Sequence, residues 1–121
     1  MWDLTCGGSA LAEENSQQAI EREVFEEIGL KVNLSSERPK ATINFIDEFD
    51  DVYIVTTEIN INDLKLDPNE VDKVKWASID EIFLMIDNGE FIPYHRSLLQ
   101  YFFDTRDRLG MVTKTLYFHS R

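Results

Sequence analysis

The sequence predicts a single α/β domain. Its 121 residues are the length of one domain with one hydrophobic core. Helix-like and strand-like segments alternate along the chain, with no internal repeat, linker or low-complexity stretch between them. With 43% hydrophobic and 29% charged residues, the composition is typical of a protein that folds in water, and no apolar run is long enough to span a membrane. We therefore expect one unit over residues 1–121.

The best-bounded element is a helix over residues 17–28. Asn15 and Ser16 stand just before it and are good N-cap residues. Gly29 stands where a left-handed C-terminal cap belongs. A short strand over residues 2–5 is expected before this helix.

Further strands are expected between this helix and the C-terminal third. The segments that alternate, or that are rich in β-branched and aromatic residues, are residues 31–34, 41–61 and 73–78. The longest of them is expected to form two strands that meet near Asp50 and Asp51. Trp2 and Trp76 are expected to be core aromatics.

Two helices are predicted near the C-terminus. Ser78 and Glu81 have the spacing of a capping box, which predicts a helix over residues 79–88. Apolar residues recur at helical spacing over residues 94–108, which predicts the second helix. The tail over residues 111–121 is compatible with a strand or a loose end.

The charge of the chain restricts its partners. The formal net charge is −11, from 23 acidic and 12 basic residues, so the surface repels nucleic acid polymers and anionic membranes. A phosphate-bearing ligand needs a cation to bridge it to such a surface. The single cysteine, Cys6, excludes an intramolecular disulfide, and the first residues lack the pattern of a signal peptide, so we expect a cytoplasmic protein.

The first helix carries a dense group of carboxylates. At about 100° per residue, three glutamates fall within one arc beside an apolar arc; the acidic residues are Glu23, Glu26 and Glu27, and the apolar ones are Ile20, Val24 and Ile28. Arg22 can pair with Glu26, and a divalent cation would offset more of the repulsion. Oxygen ligands suit Mg²⁺ or Mn²⁺. The alternative is a solvated acidic face, which is the usual meaning of a charge run.

The flanking residues complete a longer pattern. From Gly8 the chain reads glycine, five residues, Glu14, seven residues, and then "REVFEEIGL" over residues 22–30. This pattern resembles the signature of the Nudix hydrolases at each specified position, and an accidental match at a given start is on the order of one in 10⁸. A strand before this box, a hairpin after it and a strand before a helix extend the resemblance. It implies a Nudix-type α/β/α sandwich with a mixed sheet.

The resemblance also implies roles for individual residues. The expected metal ligands are Glu23, Glu26, Glu27 and the backbone carbonyl of Gly7, and the expected supporting residues are Gly8 and Glu14. Arg22 would orient the glutamates. Either Glu23 or an acid outside the box would accept the proton of the attacking water, and for that acid we favour Glu70, which precedes the strand with Trp76. The alternative for Glu70 is a solvated acidic turn.

The implied activity is Mg²⁺-dependent hydrolysis of a diphosphate linkage in a nucleoside diphosphate linked to another moiety, by water attack on phosphorus. A nucleotide-type small molecule is thus the expected partner. One alternative is a non-catalytic or remnant Nudix domain that binds a nucleotide or metabolite. Another is isopentenyl-diphosphate isomerase activity, but the cysteine of those enzymes would align with Gly7 rather than Cys6, and their box helix departs from the double-glutamate pattern.

The start of the chain differs from the family. Seven residues precede Gly8, where the family usually has one or two additional strands. We therefore expect a sheet that is shortened at its N-terminal side, with weakened hydrolysis as one consequence. An edge without a partner strand would favour a homodimer.

Overall fold

The computed structural model describes residues 1–5, 11 and 13–107. These residues form a mixed α/β structure, as the sequence predicts. The elements in chain order are α1 (Ser16–Ile28), β1 (Ala41–Asn44), β2 (Phe49–Val52), a single 3₁₀ turn (Ile61–Asp63), α2 (Ile79–Asp87) and α3 (Arg96–Asp104). None of the described helices is long and apolar enough to cross a membrane.

Helix α1 has the caps that the sequence predicts. The Asn15 side chain accepts a hydrogen bond from the Gln18 amide at 2.8 Å, and the Gln18 side chain accepts one from the Asn15 amide at 3.0 Å. This reciprocal pair is a capping box. At the other end Gly29 has φ 71°, and its amide donates to the Phe25 carbonyl at 2.9 Å. Both ends of the helix therefore carry caps formed by residues close in sequence.

A distant segment binds the C-terminal end of α1. The Lys65 amide donates to the Ile28 carbonyl at 3.0 Å, and the Asp67 amide donates to the Glu27 carbonyl at 2.9 Å. These bonds satisfy carbonyl groups that a helix end leaves without partners. The C-terminal end of α1 is thereby fixed against residues 65–67.

Replacing Gly29 with alanine is expected to lower the free energy of unfolding by about 1–2 kcal/mol or more. A left-handed backbone costs an L-residue about 1–2 kcal/mol, and a Cβ here would lie 3.0 Å from the Lys65 Cβ and 3.2 Å from its amide nitrogen. Urea unfolding measures the change. Gly89→Ala is the matched control, because Gly89 has φ 73° but nothing within 4 Å of the added Cβ. An equal loss in both variants would contradict the close packing of Lys65 against α1.

Strands β1 and β2 form an antiparallel hairpin. Their register pairs Ala41 with Val52 and Asn44 with Phe49, and the Phe45 amide donates to the Glu48 carbonyl at 2.7 Å to close the turn. The turn predicted near Asp50 and Asp51 is wrong, since both aspartates lie inside β2. The sequence does not indicate the actual turn, because the first two residues of the turn, Phe45 and Ile46, are apolar and strand-like.

The described sheet is smaller than the mixed sheet that was expected. Residues 31–34 and 73–78 form no ladder within the described chain, and Trp2 makes only an isolated parallel bridge with Phe91. Alternation of residue types indicates that a segment can pair, but a ladder also needs the amide and carbonyl groups of a second strand. The two-stranded hairpin is thus the whole of the sheet among these residues.

The main core lies between α2 and α3. Its buried residues are Ile82, Met85, Phe91 and Leu99. Trp2 packs against this cluster, as expected for a core aromatic. Trp76 does not: it is 62% exposed, and the expectation that it is buried is wrong. Its segment lacks a partner strand, so the alternation of residues 73–78 does not turn Trp76 toward a core.

The C-terminal helices are shorter than their patterns suggest. Helix α2 ends one residue before position 88, and its predicted capping box is confirmed, with the Ser78 side chain accepting from the Glu81 amide at 3.2 Å. Helix α3 occupies only residues 96–104 of the predicted range 94–108. It begins late because the Tyr94 amide donates to the Ile92 carbonyl in a turn. The tail over residues 111–121 lies outside the described residues.

Candidate metal centre

The guanidinium of Arg22 lies among three glutamates of the box. It contacts Glu14 through two nitrogens, at 2.9 Å from Nε and 3.2 Å from Nη2. Its Nη1 donates to Glu23 at 2.9 Å and to Glu26 at 3.2 Å. The predicted pairing of Arg22 with Glu26 is therefore confirmed, as part of a larger ion-pair group.

Glu14 is held in place from the loop before α1. Its backbone amide donates to the Leu11 carbonyl at 3.0 Å, and its carboxylate accepts from the Leu11 amide at 2.8 Å. Glu13 precedes it with φ 70°, a left-handed conformation that is uncommon outside glycine. This turn points the Glu14 carboxylate at Arg22, eight residues further along the chain.

The ion pairs change the acid strength of their members. The hydrogen bond from Arg22, followed by that from the Leu11 amide, lowers the pKa of Glu14 below its ordinary value. The same bond to Glu14 raises the pKa of the Arg22 guanidinium. Glu14 and Arg22 are therefore both charged at neutral pH, and each favours the charged form of the other.

The carboxylates differ in their exposure to solvent. The side chains of Glu14 and Glu23 are 19% and 17% exposed, whereas that of Glu26 is 56% exposed. Glu27 is partly buried, and its backbone carbonyl accepts the Asp67 amide. Glu26 thus faces solvent at the open side of the group, while Glu14 and Glu23 lie behind it.

These side chains surround Arg22 and do not converge on one point. Within residues 1–5, 11 and 13–107, no three histidine, cysteine, aspartate or glutamate side chains lie close enough to share an ion. Gly7 and Gly8 lie outside the described residues. The donor types still fit a hard divalent cation, because all of them are carboxylate oxygens. The exposed Glu26 can also leave Arg22 at small cost, since exposed ion pairs contribute little.

Comparison with known proteins identifies the family. A family model described as the NUDIX domain matches residues 1–102. The chain is a member of the Nudix family. Two uncharacterized Nudix hydrolases are similar to it over 93 residues, one from Listeria monocytogenes at 43% identity and one from Listeria innocua at 42%. In both cases the match covers 77% of this chain and 55% of the relative. No solved structure matches the chain significantly.

The range matched by the Nudix model contains the acidic helix: it includes all of α1 and the loop with Glu14. Nudix enzymes generally use divalent metal ions and act on small nucleotide-type molecules. The chain spans about half the length of the curated relatives that it matches.

Glu70 lies in a turn that is attached to the Nudix helix. Its backbone amide donates to the Asp67 carbonyl at 3.1 Å, and the Asp67 amide bonds to the Glu27 carbonyl at 2.9 Å. Glu70 is exposed. The contact between this turn and the box is made by the backbone of Asp67. The structure therefore places the turn at the end of α1, and the Glu70 carboxylate takes no part in that contact.

A cleft that was not predicted from the sequence borders the acidic face of α1. A depression of about 470 Å³ is lined in part by Phe25, Glu26, Lys31 and Lys65. The ammonium of Lys31 lies 5.9 Å from the centroid of the Phe25 ring, which is 50% exposed. The one local indication of this cleft in the sequence is Phe25, an apolar residue at a position that the box pattern leaves unspecified. Lys65 joins it through the tertiary contact with α1.

Proposed function

We propose that this Nudix domain hydrolyses a diphosphate linkage in a nucleoside diphosphate linked to another moiety, by attack of water on phosphorus. The observation that carries the proposal is that Glu14, Glu23 and Glu26, three carboxylates of the box, all bind the guanidinium of Arg22. A solvated acidic face would not need Glu14, a residue from outside the helix, to bind the same guanidinium.

The proposal assigns the carboxylates to a divalent cation, Mg²⁺ or Mn²⁺. Such an ion neutralises charge on the phosphates and lowers the pKa of a bound water. The residues assigned to hold it are Glu23, Glu26, Glu27 and the carbonyl of Gly7, with Gly8 supporting the loop. Glu14 and Arg22 are positioning residues, because Glu14 fixes the guanidinium and the guanidinium restricts Glu23 and Glu26.

The cleft beside Glu26 supports a nucleotide-type substrate. Its volume of about 470 Å³ lies in the usual range for small-molecule sites. Phe25 offers an exposed ring for stacking, and the lining holds two lysines, Lys31 and Lys65, beside the acids Glu26, Asp63 and Asp67. A substrate in this cleft would lie beside Glu26, the box carboxylate that lines it.

A cytoplasmic location and a homodimer complete the proposal. The net charge of −11 and the single cysteine favour a reducing, aqueous compartment.

In the described part of the chain β1 and β2 pair only with each other, so each has one edge without a ladder. Two copies pairing along such an edge would satisfy the backbone groups.

Product release from a substrate panel tests the activity. Purified protein is mixed with nucleotides, nucleotide sugars and dinucleotides, with Mg²⁺, with Mn²⁺ or with EDTA. We expect a phosphorylated product from at least one compound, only in the presence of metal. No product from any compound would contradict the enzyme proposal. It would favour a non-catalytic binding domain, and calorimetry on the same panel would then measure binding.

Glu70→Gln tests the proposed acid outside the box. If Glu70 accepts the proton of the attacking water, kcat should fall by about 10²-fold, as for loss of a general base. Asp72→Asn is the matched control, because Asp72 is another exposed acid close by in the same loop. Equal kcat values in both variants would assign Glu70 to a solvated turn and leave Glu23 as the proton acceptor.

A further inference from the structure

A second cavity, of about 190 Å³, lies between the hairpin and the end of α3. Its lining includes three basic side chains, those of Arg38, Lys40 and Arg106. The whole chain has 12 basic residues against 23 acidic ones. Three cations around one small cavity are therefore unexpected for a protein of this composition.

The scaffold of this basic cavity is tied together by several contacts. The Lys40 amide donates to the Val52 carbonyl at 2.6 Å, which extends the hairpin, and the Lys40 ammonium donates to the Thr105 carbonyl after α3. The hydroxyl groups of Tyr53 and Ser16 lie 2.6 Å apart, which connects the cavity wall to the start of α1. Two residues of the lining, Lys40 and Tyr53, are thus positioned by contacts with β2, with the end of α3 and with the start of α1.

The two guanidinium groups of the cavity lack a carboxylate partner within the described ranges. Glu37 and Asp107 also line it. However, in the described ranges no carboxylate lies within ion-pair distance of the guanidinium of Arg38 or Arg106. The lining as a whole carries three basic and two acidic side chains and is therefore positive, so it would attract an anion placed between the two guanidinium groups. Guanidinium groups also match the geometry of phosphate oxygens.

The cavity is separate from the carboxylates of α1. Its wall residue Glu37 accepts a hydrogen bond from Gln17 at 3.2 Å, and Leu34 donates to Glu21 at 2.8 Å. On an α-helix, Gln17 and Glu21 lie about 150° around the axis from the centre of the box glutamates. The contact through Ser16 is about 10 Å along the axis from Glu23. One anion cannot bridge these two places.

We propose that this basic cavity binds a small phosphate-bearing anion without the help of a divalent metal. Its volume is below the roughly 300–1,000 Å³ of sites for drug-sized molecules, so it accommodates a phosphate or diphosphate group rather than a whole nucleotide. The ligand is therefore either a free inorganic anion or the phosphate end of a molecule that extends into solvent.

Calorimetric titration with inorganic phosphate, pyrophosphate and a nucleoside monophosphate, all in EDTA, tests the proposal. We expect saturable binding that weakens with added salt. Tighter binding of the nucleoside monophosphate than of phosphate would identify the end of a larger molecule as the ligand, and the reverse would identify the free anion. No saturable binding of any probe up to about 10 mM would overturn the proposal.

Paired substitutions locate the binding. Arg38→Gln combined with Arg106→Gln should weaken phosphate binding by about tenfold or more, through loss of two charged donors. The matched control is Lys31→Gln combined with Lys65→Gln, which removes the same charge from the cleft beside Glu26. An equal loss in the control would overturn the assignment to the basic cavity. Circular dichroism confirms that each variant folds, since Arg106 also donates to the Phe103 carbonyl.

Discussion

Glu27→Gln is expected to lower kcat for diphosphate hydrolysis by about 10³-fold, through loss of a charged group that stabilises the transition state through metal. Glutamine keeps the shape of the side chain and removes its negative charge. The contact of Glu27 with Asp67 should persist, because it uses the backbone carbonyl, which the substitution leaves in place.

The measurement is kcat at saturating Mg²⁺ on the best substrate from the panel. Glu58→Gln is the control, since it makes the same chemical change at an exposed position far along the chain from the box. Thermal unfolding in EDTA should give similar midpoints for wild type and both variants. If Glu27→Gln kept the kcat of the control, Glu27 would not be a metal ligand in this protein.

Metal binding provides a readout that does not depend on turnover. Titration with Mn²⁺, followed by electron paramagnetic resonance of the free ion, should show weaker binding or fewer sites in Glu27→Gln than in Glu58→Gln. The carboxylates are the hard ligands that Mn²⁺ prefers. Unchanged Mn²⁺ binding together with lost activity would mean that Glu27 is not a metal ligand and acts directly on the substrate.

Local chemistry explains the part of the site that the sequence predicts. The caps of α1 depend on residues within a few positions of each other, and the pairing of Arg22 with Glu26 follows from helical spacing. The binding of Glu14 to the same guanidinium could be expected only from the family resemblance. Residue 14 lies before the helix, so no helical periodicity gives its direction.

Tertiary contacts explain what the sequence did not predict. The amides of Lys65 and Asp67 bond to α1 from almost 40 residues away along the chain, and neither residue type indicates such a contact. The same applies to the sheet. Residues 73–78 alternate as a strand does, yet without a partner strand Trp76 remains 62% exposed.

Arg22→Gln is expected to lower kcat about 10–100-fold, the usual cost of removing a group that orients metal ligands. The substitution also leaves Glu14, Glu23 and Glu26 close together without the cation they share. In EDTA the thermal midpoint should therefore fall at neutral pH. The pKa of Glu14 is lowered in the folded state, so this contribution is present above its ordinary value of 4.5 and is lost as the pH falls through the lowered value.

Metal should partly replace the missing guanidinium. If the proposed metal site is correct, a divalent ion would compete with Arg22 for Glu23 and Glu26 in wild type, whereas in Arg22→Gln the same ion would meet no competing cation. Addition of Mg²⁺ should therefore raise the thermal midpoint of Arg22→Gln by more than that of wild type.

Arg96→Gln is the control, because it removes an exposed ion pair with Asp87 outside the box and should respond to Mg²⁺ as wild type does. If Mg²⁺ raised all three midpoints equally, the carboxylates around Arg22 would not be where the metal binds. A larger rise in Arg22→Gln alone would show that one group of glutamates serves both cations.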